Sequence, residues 1–141
     1  MNTIREAYTA CAAAKATGRE VVVSFICNTK GDLYGGESLQ QAVKTLAELN
    51  PAAFSINCAS PRHLNPPLHI LRTQTALPIC VYGNIGIPES EQHGWEFTRD
   101  IAEDQYAIYA KEWHRNGAAI IGGCCGTTPE YIRSVALSIG K

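Results

Sequence analysis

Three of the six cysteines in this chain sit in a pattern suited to chemistry. The run Gly122-Gly123-Cys124-Cys125-Gly126-Thr127-Thr128-Pro129 brackets two adjacent thiols with glycines, directly after the apolar stretch Ala118-Ala119-Ile120-Ile121. Cys58 ends a similar stretch, Ala53-Phe54-Ser55-Ile56-Asn57. Three thiolates converging from two strand ends could hold one zinc ion and leave its fourth position open, the feature that separates a catalytic zinc from a structural one. Cys58 and Cys124 lie 66 positions apart, so only tertiary structure can unite them. Gly122 and Gly123 would let the backbone turn sharply enough for consecutive side chains to face one ion. Three thiolates on Zn²⁺ leave a net negative charge, and a substrate thiolate as fourth ligand adds another. A thiol bound there stays deprotonated at neutral pH yet nucleophilic. That favours alkyl transfer to sulfur over generation of zinc hydroxide, which suits neutral histidine ligands.

Each feature also has a plainer reading. Cys11 and Cys80 lie inside apolar segments and read as small hydrophobes, and packing is favoured for Cys27 too, although it ends a strand. Adjacent cysteines rarely bond to each other, and a disulfide framework is not expected. Gly122-Gly123 and Gly126-Thr127-Thr128 before a helix could instead cradle an anion, but the lysine of a phosphate loop is missing. His63, His69, His93 and His114 show no metal-pair spacing and read as surface positions. Trp95, Trp113 and the neighbouring tyrosines read as packing, and Glu89, Glu91 and Glu96 as a solvated loop.

The elements that must position these groups alternate between helix and strand. Thr3-x-x-Glu6 is a capping box that opens a helix with Ile4, Tyr8 and Cys11 at helical spacing. Val21 to Ile26 reads as a buried strand. Ser38-x-x-Gln41 opens a second helix, stopped at Asn50-Pro51. Ala53 to Cys58 is the second strand, and Asn65-Pro66 is an N-cap with proline leading a short helix through Leu71. Pro78 to Tyr82 is the third strand, followed by Gly83-Asn84-Ile85-Gly86 and a polar loop. Ala102, Tyr106, Tyr109 and Trp113 share one face of the next helix. Ala118 to Ile121 is the fourth strand, and Thr128-Pro129 caps the last helix.

Strands followed by helices imply parallel pairing with right-handed crossovers. Cys27, Cys58, Asn84, Cys124 and Cys125 all fall just past the C-terminal end of a strand. Barrel enzymes build their sites on that face, although an open α/β sheet uses the same edge. The expected class is α/β, a leading helix plus four βα units, which as a barrel make half of a (β/α)8 barrel beginning in its middle, in a single partial domain spanning 1–141. A closed barrel needs roughly 200 residues or more, against 141 here.

Hydrophobic residues make up 45% and charged residues 18%, as expected for a globular chain. The formal charge is −1, with no basic stretch to attract nucleic acid or an anionic membrane. No apolar run approaches a membrane span, the N-terminus lacks a secretory layout, and a cytoplasmic protein is expected.

Asn57-Cys58, Val81-Tyr82-Gly83-Asn84, Trp113 before Gly117-Ala118, and Gly122 to Pro129 occur in an order that resembles the zinc-dependent homocysteine S-methyltransferase family. With Gly126 after the cysteine pair, the chain is more similar to the methionine-synthase-like branch. The resemblance spans essentially the whole chain. It implies a (β/α)8 barrel of which this chain supplies the fourth helix through the eighth. It implies Cys58, Cys124 and Cys125 as zinc ligands, Asn84 as a fourth ligand displaced by homocysteine, and methyl transfer from a methyl donor to that thiolate, giving methionine. The family's N-terminal half, with the Glu-Thr that binds the substrate's amino group, is expected to be missing. Half a barrel would expose strand edges and apolar interior, so partnering with the missing half or self-association is expected. The alternative is a catalytically inactive zinc- or thiol-binding half-barrel serving as an interaction module.

Overall fold

The computed structural model describes residues 1–85 and 100–140, together with the backbone of two short strands at 88–89 and 96–97. The expected alternation is present. Helix α1 (Ile4–Lys15) is opened by Thr3, whose hydroxyl accepts from the Glu6 N–H at 3.1 Å. The Glu6 carboxylate returns a bond to the Asn2 N–H at 2.7 Å, one residue earlier than in a standard capping box. Strand β1 (Val22–Phe25) leads to α2 (Leu39–Ala47), capped by Ser38 through the Gln41 N–H. Strand β2 (Ala53–Asn57), a 3₁₀ turn at Pro61–His63, α3 (Asn65–Gln74) and β3 (Ile79–Gly83) follow. Next come β4 (Pro88–Glu89), β5 (Glu96–Phe97), α4 (Glu103–Arg115), β6 (Ile120–Gly123) and α5 (Pro129–Ser138).

Several boundaries differ from the sequence reading. Asn65 is the first helical residue and Leu64 takes the cap position without a side-chain bond; α3 then runs past Leu71 to Gln74. Thr128 occupies the α5 cap, but its hydroxyl donates to Glu130 Oε2 at 2.5 Å rather than serving the backbone. Strands β3 and β6 extend through Gly83 and Gly123, because pairing with a neighbouring strand overrides the low strand preference of glycine. Strands β4 and β5 form an antiparallel pair in a segment read as polar loop; two-residue strands are too short to show a period of two. Gly86, Glu91, His93, Trp95 and the side chains of Glu89 and Glu96 lie outside the described residues.

The main sheet is parallel in the order β1-β2-β3-β6. Phe25, Ile56, Val81 and Ile121 stand side by side in register, as do Ser24, Ser55, Cys80 and Ile120 one position earlier. The first row faces the helices. Val23, Phe25, Phe54, Ile56, Ile79 and Val81 join one core with residues from all five described α-helices, among them Ala7, Leu46, Leu71, Trp113 and Tyr131. Within it Tyr106 meets Trp113 and Tyr131 edge-on, with ring centroids 5.5 and 5.6 Å away. The second row lies on the opposite face with Asn57 and Tyr82, where Ser24 Oγ donates to Asn57 Oδ1 at 2.7 Å.

Helices on a single face of a parallel sheet are the arrangement of a barrel wall, since a doubly wound sheet is covered on both faces. The chain is therefore α/β with barrel-type layering, its inner face more polar than its outer. At the two edge strands, Val22 and Ile120 remain 49% and 46% exposed. Met1 adds one residue of pairing to the outer edge of β1, donating to Ser24 O and accepting from the Ile26 N–H. Among the described residues no helix is long and apolar enough to cross a membrane.

The two faces predict opposite responses at adjacent positions. Ile56 is fully buried in the core, and Ile56→Ala is expected to cost about 2–5 kcal/mol. Ser55 is equally buried, but its hydroxyl has no partner among the described residues. Ser55→Ala is thus expected to be neutral or stabilising, because it removes an unsatisfied polar group. Urea denaturation of the two variants checks the assignment.

Candidate metal centre

The C-terminal ends of β2, β3 and β6 meet at one place, and backbone bonds that continue past the strands hold them there. The Cys58 N–H donates to Tyr82 O at 2.9 Å, and the Asn84 N–H to Ala59 O at 3.0 Å, tying the β2 and β3 ends together. The Cys124 N–H donates to Gly83 O at 2.9 Å and the Ile85 N–H to Cys125 O at 3.1 Å, which ties β3 to β6. Beyond β6 the chain turns at once. Thr127 donates to Cys124 O from both its N–H and its hydroxyl, and Gly126 takes φ +78°. Glycine is required at 122 and 123 by close approach. A Cβ on Gly122 would lie 2.5 Å from the Tyr82 ring, and one on Gly123 would collide with the Thr127 hydroxyl.

This framework brings the three sequence-predicted cysteines together. The sulfurs of Cys58, Cys124 and Cys125 all lie within 4.8 Å of one another, with Cys58 Sγ 3.6 Å and Cys124 Sγ 3.8 Å from Cys125 Sγ. Zinc–sulfur bonds of about 2.3 Å in a tetrahedron place sulfurs about 3.8 Å apart, so the spacing suits such an ion. Three soft sulfur donors also match zinc's preference. All three cysteines are half-buried, open to a small molecule yet shielded enough to strengthen electrostatics. Burial pushes the Cys58 thiol up to about 12, reinforced by hydrogen bonds and like charge from Cys124 and Cys125. A divalent cation among the sulfurs would reverse that balance, because opposite charge favours the thiolate.

Cys58 itself sits at φ +58°, a left-handed conformation uncommon for a residue with a Cβ. Strain of this kind collects at functional sites. Asn84 stands next to it, its side-chain nitrogen donating to Cys58 O at 3.2 Å. The remaining cysteines are separate from the cluster. Cys11, Cys27 and Cys80 are buried, and burial raises each thiol, that of Cys27 to about 12. Packing is thus their role, as expected from the sequence. Of the histidines, His63, His69 and His114 are exposed, and His93 lies outside the described residues. Two contributors were missed from the sequence. Thr127 looked only like part of an anion cradle, and Tyr106, whose hydroxyl reaches Gly83 and Gly122, looked like core packing alone. Neither spacing nor residue type signals these contacts, which depend on helix-to-sheet docking.

The left-handed backbone at Cys58 predicts a difference between two variants that both lose a sulfur. Cys58→Gly is expected to be more stable than Cys58→Ala by about 1 kcal/mol, since only alanine retains the conformational cost. Thermal unfolding of the two metal-free proteins measures it; equal stabilities would contradict the strain.

Comparison with known proteins agrees with this geometry. A family profile described as homocysteine S-methyltransferase matches residues 1–139. Homocysteine S-methyltransferase 3 of Zea mays is 37% identical over 122 residues, covering 84% of this chain and 36% of its own length. Homocysteine S-methyltransferase 2 of the same plant is 32% identical over 122 residues, covering 83% and 36%. Among solved structures, the metallated form of the homocysteine methyltransferase MmuM from Escherichia coli superposes with a TM-score of 0.77 at 28% identity, covering 97% of this chain and 42% of that one. The chain thus spans about a third of the length of the curated relatives it matches. With nearly its whole length matched by the profile and its strand ends carrying the cysteine cluster, the chain belongs to the homocysteine S-methyltransferase family.

Proposed function

We propose that residues 1–141 form one partial barrel domain, the zinc-holding part of an enzyme that transfers a methyl group to the thiolate of homocysteine, giving methionine. The observation that carries this reading is the convergence of three cysteine sulfurs within 4.8 Å at the C-terminal end of a parallel sheet. Cys58, Cys124 and Cys125 would hold the ion, and the Asn84 side-chain oxygen is suited to a fourth position that substrate can displace. Zinc bound there would supply a Lewis acid that keeps an incoming thiol deprotonated at neutral pH.

The cysteines' own negative charge opposes too tight a hold on the substrate sulfur and so preserves its nucleophilicity. In the transfer, a sulfur lone pair forms the new S–C bond. The bond from the methyl carbon to its donor breaks, and its electron pair leaves with the donor. The half-buried setting limits water at the reacting sulfur.

The open inner face argues for a complementary half-barrel. Val22 and Ile120 are exposed at the two edges. An N-terminal half would pair both edges and cover this face.

Metal analysis and complementation test the reading. Reduced, purified protein is expected to carry one zinc per chain, and Cys124→Ser to weaken zinc binding by at least about tenfold. Methyl transfer to homocysteine is expected when a separately expressed N-terminal half is added, and to be much lower without it. Absence of zinc, or unchanged zinc in Cys124→Ser, would overturn the ligand assignment. Zinc binding with no transfer even after complementation would favour a catalytically silent interaction module.

A further inference from the structure

We propose that Tyr106 is a positioning residue that sets the separation of the β3 and β6 ends, and so the spacing of the cysteine cluster; its effect on metal affinity rests on the cluster binding a metal. Parallel pairing of Gly83 with Gly123 makes the Gly83 N–H and the Gly122 C=O two ends of one ladder rung. The Tyr106 hydroxyl binds both ends. It accepts from the Gly83 N–H at 3.1 Å and stands 2.7 Å from Gly122 O, to which it donates. The Gly83 carbonyl lies 3.1 Å away as well, and this is the oxygen that receives the Cys124 N–H. One phenol oxygen therefore touches the residue before Asn84 and the second residue before Cys124.

The remaining features of Tyr106 fit this role and little else. Its side chain is fully buried, and burial raises its hydroxyl's pKa, so it remains a neutral donor. Phenylalanine would fill the same core volume against Trp113 and Tyr131, which leaves the strand-end contacts as the reason for a hydroxyl. Glycine at 83 permits the approach: a Cβ there would lie 3.1 Å from the hydroxyl and 3.0 Å from the Trp113 ring. Helix α4 is thereby fastened to the strand ends that carry the cluster. Groups that orient metal ligands without touching the metal typically change affinity by about 10–100-fold when removed.

The test is Tyr106→Phe in the full chain, with cobalt(II) as the probe. The variant is expected to bind cobalt at least about tenfold more weakly, with a shifted thiolate-to-cobalt absorption band. Leu46→Ala, at a fully buried position of α2, a helix that packs against α1 and α3, serves as a control for destabilisation alone. It is expected to lower the unfolding temperature while leaving cobalt affinity and spectrum unchanged. A second readout needs no metal. In a Cys124→Ser background, bridging of Cys58 and Cys125 by phenylarsine oxide is expected to slow when Tyr106 is also changed to Phe. Wild-type cobalt binding in Tyr106→Phe, or a bridging rate that ignores the substitution, would overturn the role of Tyr106. If the unmodified protein bound no cobalt yet bridging still depended on Tyr106, the metal reading would fail and the positioning role would stand.

Discussion

Everything at this site depends on a parallel ladder that continues past the ends of its own strands. Cys58, Asn84, Cys124 and Ile85 each donate a backbone N–H to the neighbouring strand end. These four bonds convert three separate loops into one surface. Without them, sulfurs that lie 66 positions apart in sequence would have no reason to meet. An individual bond of this kind contributes only about 0.5–1.5 kcal/mol. Their value is geometric: each removes one way in which the loops could drift.

The constraint explains the otherwise awkward residues. Gly122 is pressed on by the Tyr82 ring and Gly123 by Thr127, so side chains are excluded where the strand must turn. Cys58 holds a left-handed backbone with its sulfur 3.6 Å from that of Cys125. The same economy shapes the sheet. Its outer face is apolar and covered by helices, whereas its inner face carries Ser24, Ser55, Asn57 and Cys80. Polar groups on that side suit a barrel interior lying below a polar site.

Much of this was legible in the residues. The alternation of elements gave a parallel α/β sheet. The cysteine pair between glycines and the Asn-Cys at the end of an earlier strand suggested the cluster, and the family resemblance selected the barrel. Capping motifs located the starts of α1 and α2, Thr128-Pro129 that of α5, and the apolar face with Tyr106 and Trp113 located α4. What escaped was set by contacts distant in sequence. Strand pairing drew Gly83 and Gly123 into strands that their residue type disfavours. Asn65 resembled a cap but became the first helical residue, and the β4–β5 pair was too short to leave a pattern. Tyr106 was placed correctly on the buried face of its helix, yet nothing nearby in sequence could disclose which backbone groups its hydroxyl would meet.

The central claim is that Cys58, Cys124 and Cys125 hold one zinc ion whose remaining position admits a substrate sulfur. X-ray absorption at the zinc edge tests it most directly. The account predicts three sulfur neighbours at about 2.3 Å and one lighter donor in the resting protein, converting to four sulfurs when homocysteine is added. Fewer than three sulfurs, or a first shell that homocysteine leaves unchanged, would contradict it.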